Sequence, residues 1–476
     1  MTQLPHDYRF TKIIVTLGPA TDSVEKLSQM ISAGVDIIRL NMAHASEQWV
    51  RESIARIRQV ALEVGRPVAI MMDVKGPEIR TGDLATPVEL KLGDRIRLVV
   101  NGTVPQHNGE LNISVNYPQL PRDIVLGGTV LVDSGMIRLK ALEKDQMSVL
   151  CEVLTPGKLS SRRHINLPGV EVDLPALTEK DVKDLRVGID AGIDFVALSF
   201  VRRAADMHEL KGLLTGLGSK ARIVAKIEEQ SGVKNMREII RASDGIMVAR
   251  GDLGIEIDYH RLPIVQKELV DACLAEAKPV IIATQLLESM IQSPMPTRAE
   301  ISDVSNAIRE QADAVMLSGE TTTGAYPLES IEVLKNIINS IQPTLDGAIN
   351  SRIVLEEPKT KMLRSAAVLA QELGSSGIVV FTRSGYLAQM LGALRARNVP
   401  IYAFTDVETT FRQLVLPWGV EPFLLEFSDD PEQTILDALA CLKQKKWCQS
   451  GTWLVVVTHV VANHKVIETM QLRQIS

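Results

Sequence analysis

Lys226 and Glu228 stand two residues apart in the run Arg-Ile-Val-Ala-Lys-Ile-Glu, residues 222–228. In an extended segment, residues i and i+2 face the same way, so an ammonium and a carboxylate lie side by side. Alone, such a pair reads as a salt bridge. Further on, Arg250-Gly251-Asp252-Leu253-Gly254 follows another apolar run. A glycine-bearing turn at that point can present backbone N–H groups to an anion, or can be a plain turn. Glu228 and Asp252 together offer two hard oxygen ligands. Mg²⁺ is held by such a set when water and substrate oxygens complete its shell. Arg39, Arg80 and Lys226 could then balance a phosphate and a second carboxylate. Cations and a metal around a moving group suit phosphoryl transfer, where catalysis is mostly positioning and charge stabilisation. There is no G-x-x-x-x-G-K-[ST] and no G-x-G-x-x-G after an apolar run, which argues against a P-loop or a dinucleotide site.

These residues need a scaffold that gathers them. Eight short apolar runs each carry a polar residue at or near the C-terminal end: 12–18, 35–41, 68–74, 194–200, 222–228, 244–250, 279–285 and 312–319. Continuous apolar runs suit parallel strands covered on both faces. Amphipathic stretches such as 47–62, 179–191, 203–217 and 298–310 lie between them. Eight strands alternating with helices predict an α/β fold, a (β/α)₈ TIM barrel. Six strands would instead allow an open doubly wound sheet. In a barrel, reactive groups gather at the C-terminal ends of the strands. Those ends carry Arg39, Asn41, Asp73, Lys75, Ser199, Lys226, Glu228, Arg250, Asp252, Thr284, Ser318 and Glu320. The third and fourth runs are far apart. The stretch between them has alternating patterns with Gly, Pro and Asn turns, which predicts an inserted all-β lid domain in a βα loop. The expected boundaries are 1–82 and 168–342 for the barrel, 83–167 for the lid, and 343–476 for a C-terminal α/β domain.

The chain has 476 residues, 45% hydrophobic and 23% charged, with a net charge of −6. That is ordinary for a globular protein and excludes a disordered or collagen-like chain. No basic excess points to nucleic acid. No apolar run approaches the roughly 20 residues that span a bilayer, so no membrane partner is expected. The start MTQLPHDYRFTK has no apolar core of a secretory signal, and the four cysteines form no C-x-x-C pair. A cytoplasmic setting with free thiols follows as the expectation.

The segments 71–82 (MMDVKGPEIRTG), 164–181 (HINLPGVEVDLPALTEKD) and 223–233 (IVAKIEEQSGV) resemble the pyruvate kinase family. So do 243–257 (SDGIMVARGDLGIEI), 281–307 (IIATQLLESMIQSPMPTRAEISDVSNA) and 313–327 (DAVMLSGETTTGAYP). The resemblance implies the last step of glycolysis, phosphoenolpyruvate plus ADP giving pyruvate plus ATP, in a homotetramer. By that resemblance, Lys226 stabilises the transferring phosphoryl group and Arg39 contacts it. Glu228 and Asp252 bind Mg²⁺ (or Mn²⁺). Backbone amides at Gly251 and Asp252, with Thr284, hold the substrate carboxylate beside Ser199. Asn41, His44, Arg80 and Arg163 face the nucleotide phosphates, Arg163 arriving on the lid. Thr284 also organises the proton that quenches the enolate, with Ser318 and Glu320 near that path.

The chain departs from the family pattern at three places. Arg39-Leu-Asn41-Met42-Ala43-His44-Ala45 stands where R-x-N-F-S-H-G is common, so Ala43 cannot lend a K⁺ ligand. Asn41, Asp73 and the carbonyl of Val74 remain, and Glu78 is the residue that accompanies K⁺ dependence. A weaker K⁺ site is expected. Arg163-His164 replaces a Lys-Gly pair, which changes donor geometry and backbone freedom. In the C-terminal domain, Thr382-Arg-Ser384-Gly385 resembles a phosphate-cradling loop, but Tyr386 and Leu387 replace its following Arg and Ser, and the last loop, 458–465, is poor in Arg and Gly. That loop is a nest for a simple phosphate or a vestigial turn. Two other functions compete with the kinase: a Mg²⁺-dependent lyase acting through a pyruvate enolate, and a non-catalytic metabolite sensor derived from the family.

Overall fold

The computed structural model describes residues 8–43, 45–100, 110–345, 349–373, 377–462 and 465–476, with only the backbone for 459–462 and 465–467. Eight parallel strands close into a barrel: β1 (Lys12–Thr16), β2 (Ile37–Asn41), β3 (Ala69–Val74), β4 (Phe195–Leu198), β5 (Arg222–Ile227), β6 (Gly245–Ala249), β7 (Val280–Ala283) and β8 (Ala314–Leu317). Each pairs with its sequential neighbours in the barrel, and β8 closes on β1 through Lys12↔Ala314. The closed barrel replaces the open sheet as an option. The strands are up to two residues shorter at an end than the apolar runs, because those runs continue into the flanking turns.

Period-2 alternation divides each strand between two cores. Ile14, Ile37, Met71, Phe195, Ala197, Val224, Met247, Ile281, Ala283, Ala314 and Met316 fill the barrel interior. Val15, Ile38, Ile70, Met72, Val196, Ile223 and Val248 pack outward against the helices. Helices run over Glu47–Val64, Glu179–Ala191, Ala204–Gly216 and Arg298–Arg309, near the bounds expected. Ser46, Thr178 and Thr297 cap three of them at the N-terminus. Such caps are worth about 1 kcal/mol each. Gly65 and Gly192 end the first two in the left-handed conformation, at φ 74° and 88°, which a side chain would disfavour.

The insertion between β3 and β4 forms a six-stranded sheet and a two-stranded one, with their own apolar core. A single helical turn, Leu120–Asp123, interrupts the all-β pattern. After the barrel, the helix Pro358–Leu373 leads into a five-stranded sheet. Four of its strands are parallel; the last, Lys465–Gln474, runs antiparallel to Trp453–Ala462. The stretch 458–465, expected as a loop, is therefore mostly paired strand around the tip of this hairpin. Residues 463–464 lie outside the described set.

The third unit closes the barrel's N-terminal end. Val415 and Leu416 join the interior barrel cluster. Buried Arg395 pairs with Asp313 at 2.6 Å, and Arg412 pairs with Asp194 at 2.8 Å. No described helix is long and apolar enough to cross a membrane.

Candidate active site

The alternation that fills the barrel also aims its last inward residues. Two positions beyond inward Ile14, Ile37, Met71, Ala197 and Val224 come Thr16, Arg39, Asp73, Ser199 and Lys226. They form one polar layer on top of the apolar plug. Lys226 Nζ donates to Ser199 Oγ at 2.7 Å and to Asp73 Oδ1 at 3.2 Å, and lies 3.0 Å from Glu228 Oε1. Arg39 Nε donates to Asp73 Oδ2 at 2.6 Å, and its Nη1 to Thr16 Oγ1 at 3.1 Å. Arg39 Nη2 keeps no partner among the described residues. Phe200 N donates to Glu228 Oε2 at 2.7 Å from a left-handed conformation, φ 54°. The expected convergence of Lys226 and Glu228 is thus present, with Asp73 as a central counter-charge.

Burial works against every charge in this layer, and the partners decide the outcome. Burial alone would raise Asp73, yet Arg39 and then Lys226 hold its carboxyl below the usual range. Burial disfavours the Lys226 ammonium, but Asp73 and Glu228 raise its affinity for the proton. Glu228 goes the other way. Burial raises it, Lys226 opposes, and Asp252 and Asp73 push it further up. A carboxyl so loaded with negative neighbours is suited to a further cation.

Asp252 comes from the short helix Arg250–Glu256, which starts directly at the end of β6. Its carboxylate accepts no hydrogen bond among the described residues. Glu228 and Asp252 therefore fit a divalent ion by donor chemistry: two adjacent hard carboxylates, one of them electrostatically overloaded. No group of three or more His, Cys, Asp or Glu able to hold a metal occurs among the described residues. Water or substrate oxygens would complete the shell. Thr284 sits beside the same helix. Gly251 N donates to Thr284 Oγ1 at 2.7 Å, and that hydroxyl donates to Ala283 O at 2.7 Å. Glu320 accepts from Ser318 N at 2.7 Å and from Leu287 N at 3.1 Å, while Ser318 Oγ has no partner among the described residues.

The remaining expected residues are placed less centrally. Asn41 Oδ1 accepts from Ala43 N at 3.2 Å, and Met42 N donates to Asp73 O at 3.0 Å, folding the post-β2 turn over Asp73. Ala43 adds no side-chain oxygen to those of Asn41 and Asp73 or to the Val74 carbonyl. His44 lies outside the described residues. Glu78 pairs with Lys75 at 2.9 Å and Arg80 at 2.5 Å, and Arg80 also donates to Arg162 O at 2.7 Å on the lid. Arg163 pairs with Asp133 within the lid at 3.2 Å, and its backbone N donates to Thr81 Oγ1. The structure does not bring its guanidinium to the Lys226 layer.

His164 carries more than the backbone change read from the sequence. Its ring lies 5.5 Å from that of Phe200, across the lid–barrel seam. It lines a cavity of about 270 Å³ with Glu78, Phe200, Arg202, Glu229 and Glu256. Burial raises Glu256 to about 7, against a hydrogen bond from Asn166 and with help from Glu229 and Asp252. The folded chain therefore binds the Glu256 proton more tightly than the unfolded chain does. The stability this contributes is full below about pH 4.5 and is lost as pH rises through about 7. We expect Glu256→Gln to gain thermal stability over the parent between pH 5 and pH 7 and to hold that gain at pH 8. Melting temperatures that differ by the same amount at every pH would contradict this assignment.

In the C-terminal unit, Gly385 N donates to Thr382 Oγ1 at 2.9 Å, and Arg383 pairs with Asp406 at 2.7 Å. Arg222, at the start of β5, donates to Ser384 O at 2.8 Å and to Gln389 Oε1 at 3.1 Å. The cradle-like loop thus sits against the start of the strand that carries Lys226.

Comparison with known proteins agrees with this architecture. Residues 8–331 match the family model described as pyruvate kinase, barrel domain, and residues 360–472 match pyruvate kinase, alpha/beta domain. The chain is 37% identical to "Plastidial pyruvate kinase 2" of Arabidopsis thaliana over 483 residues, covering 100% of this chain and 83% of the relative. It is 42% identical to a pyruvate kinase of Sporosarcina psychrophila over 464 residues, covering 95% and 78%. A pyruvate kinase of Geobacillus stearothermophilus is 43% identical over 420 residues, covering 87% and 71%.

Proposed function

The chain belongs to the pyruvate kinase family, transferring the phosphoryl group of phosphoenolpyruvate to ADP to give pyruvate and ATP, and from that premise we propose how its own residues divide the work. Lys226 stabilises the negative charge on the phosphoryl group in transit, and Arg39 contacts that group through its unpartnered Nη2. Thr284, with the amides of Gly251 and Asp252 and the hydroxyl of Ser199, receives the substrate carboxylate and enolate end; the Gly251 amide, which donates to Thr284 Oγ1, must turn to the carboxylate to do so. Thr284 organises the proton delivered to carbon, with Ser318 and Glu320 behind it. Asn41, His44, Arg80 and Arg163 serve the nucleotide phosphates; Arg163 must leave Asp133 to do so. The observation that carries this reading is the buried layer in which Lys226 meets Asp73, Ser199 and Glu228 at the C-terminal mouth of the barrel.

Glu228 and Asp252 would hold Mg²⁺ or Mn²⁺, which supplies positive charge to oxygens as they gain it. Preorganised charge of this kind acts where water is excluded, and the lid between β3 and β4 provides that exclusion. The division at 83, 168 and 343, a homotetramer and a cytoplasmic setting complete the proposal. It names no nucleic-acid or membrane partner. The comparisons lend no support to a lyase or a sensor. A coupled assay of pyruvate and ATP formation from phosphoenolpyruvate and ADP, at several K⁺ concentrations, tests the whole. Absence of turnover under all of them would overturn it.

The K⁺ site of Asn41, Asp73 and Val74 lacks a hydroxyl at position 43, and a water can take that place at some cost in affinity. We expect activation by K⁺ with weak half-saturation, and Ala43→Ser to lower that half-saturating concentration severalfold at unchanged metal dependence. Full turnover without any monovalent cation would remove the site from the proposal.

A further inference from the structure

Arg250 has no role in the chemistry described so far, yet it is one of the most deeply buried cations of the barrel, with 5% of its surface exposed. Its guanidinium makes an unusual set of bonds. Nη2 donates to Thr284 O at 2.8 Å and to Gln285 O at 3.0 Å, and Nε donates to Thr284 O at 3.3 Å. Nη1 faces Asp303 on the helix Arg298–Arg309 at 2.8 Å. The two carbonyls belong to residues in the left-handed region, φ 66° at Thr284 and 54° at Gln285. For a β-branched threonine this conformation is a genuine outlier. Such strain persists only where surrounding contacts over-determine it.

We infer that Arg250 is a positioning residue for phosphoryl transfer: by bonding both carbonyls of the left-handed Thr284–Gln285 turn, it holds the Thr284 hydroxyl against the Gly251 amide. The same side chain then ties three elements into one unit. Its own backbone begins the helix that carries Gly251 and Asp252, its fork grips the turn after β7, and Asp303 fixes the fork from outside. The planar guanidinium supplies the needed donors at fixed angles. A lysine at 250 offers a single rotating point charge that cannot reach both carbonyls and Asp303 together. Without the grip, the turn is free to relax to an ordinary conformation, and the Thr284 hydroxyl moves with it.

This inference rests on the assignment of Thr284 to the substrate, and a double-mutant cycle separates the two. Misplacement of a reacting group by about 1 Å costs roughly 100-fold in rate. We therefore expect Arg250→Met to lower kcat/KM for phosphoenolpyruvate about 100-fold, with ADP half-saturation moving less than about threefold, and Arg250→Lys to recover little. In a Thr284→Ala background the same Arg250→Met change should cost less than about threefold, because residues acting through one another are not additive. A full 100-fold loss in that background, or unchanged kcat/KM in the single variant, overturns the role of Arg250 (roughly the independent and null limits of such a cycle). Thr284→Ala as active as the parent would instead remove the assignment of Thr284, and the inference with it. Should Arg250→Met not fold, Asp303→Asn decides. A loss of about five- to tenfold that vanishes in the Thr284→Ala background supports the grip, and an unaltered kcat/KM overturns it.

Discussion

Lys226→Met is expected to lower kcat by about 1,000-fold or more while phosphoenolpyruvate still binds, since removing a preorganised charge from a dry site costs about 10²–10³-fold per donor and Lys226 carries a full charge. The physical reason lies in where the ammonium is held. Ser199, Asp73 and Glu228 fix it from three sides at the barrel mouth, so no reorganisation is needed when charge moves between oxygens. Methionine keeps most of the side chain's length and removes the charge together with the bonds donated to Ser199 and Asp73. Removing one member of a buried ion pair usually costs about 3–5 kcal/mol because the partner is left uncompensated. Here Asp73 keeps Arg39, and Glu228 can take up a proton, so the variant is expected to fold with a lowered melting temperature. Single-turnover and steady-state rates, with a binding measurement for phosphoenolpyruvate, check this result. Turnover close to the parent would mean that the ammonium has no part in stabilising the transferred group.

The second large effect concerns Glu228 and Asp252. Glu228→Gln keeps a single oxygen, enough for Phe200 N or for Lys226 but not for both, and removes the charge that makes the pair attractive to a cation. Outer partners of metal ligands alone are worth about 10–100-fold in affinity or activity, so loss of a direct carboxylate should raise half-saturating Mg²⁺ by about 100-fold or more. Asp252→Asn should act in the same direction. Chelation should abolish turnover in the parent, and Mn²⁺ should restore more activity to the variants than Mg²⁺, because it stands higher in general affinity for such sites than the reluctantly dehydrated Mg²⁺. Metal titrations of initial rate check both statements. Turnover indifferent to chelation would dissociate the two carboxylates from any ion.

The eight barrel strands are legible because each is built on a short apolar run, covered on both faces, and such runs have little competing interpretation. The polar ends were legible for the same reason: Lys226, Glu228, Asp73 and Arg39 break an apolar pattern at its last inward step. The final strand, Lys465–Gln474, is not legible in the sequence. Its sequence KVIETMQLRQ alternates weakly, with Met470 and Leu472 partly exposed, so no buried face marks it. The short helix Arg250–Glu256 reads as a turn in the sequence because two glycines lie in seven residues. The grip of Arg250 was out of reach altogether, since its partners at Thr284 and Gln285 are carbonyls, which carry no residue signature. Nor could spacing join Arg163 to Asp133, or set His164 against Phe200. Those meetings depend on how the inserted sheet folds back over the barrel.

Val415 and Leu416, seated in the open end of the cylinder, give the C-terminal unit a duty that precedes any regulatory one. It is a stopper. A chain cut after the last barrel helix would let water into the one end of the β-cylinder that the lid does not cover, beneath Met247 and Phe195. A substitution at exposed Tyr386 leaves that seal untouched, whereas one at either of the two hydrocarbon residues that cork the cylinder would breach it.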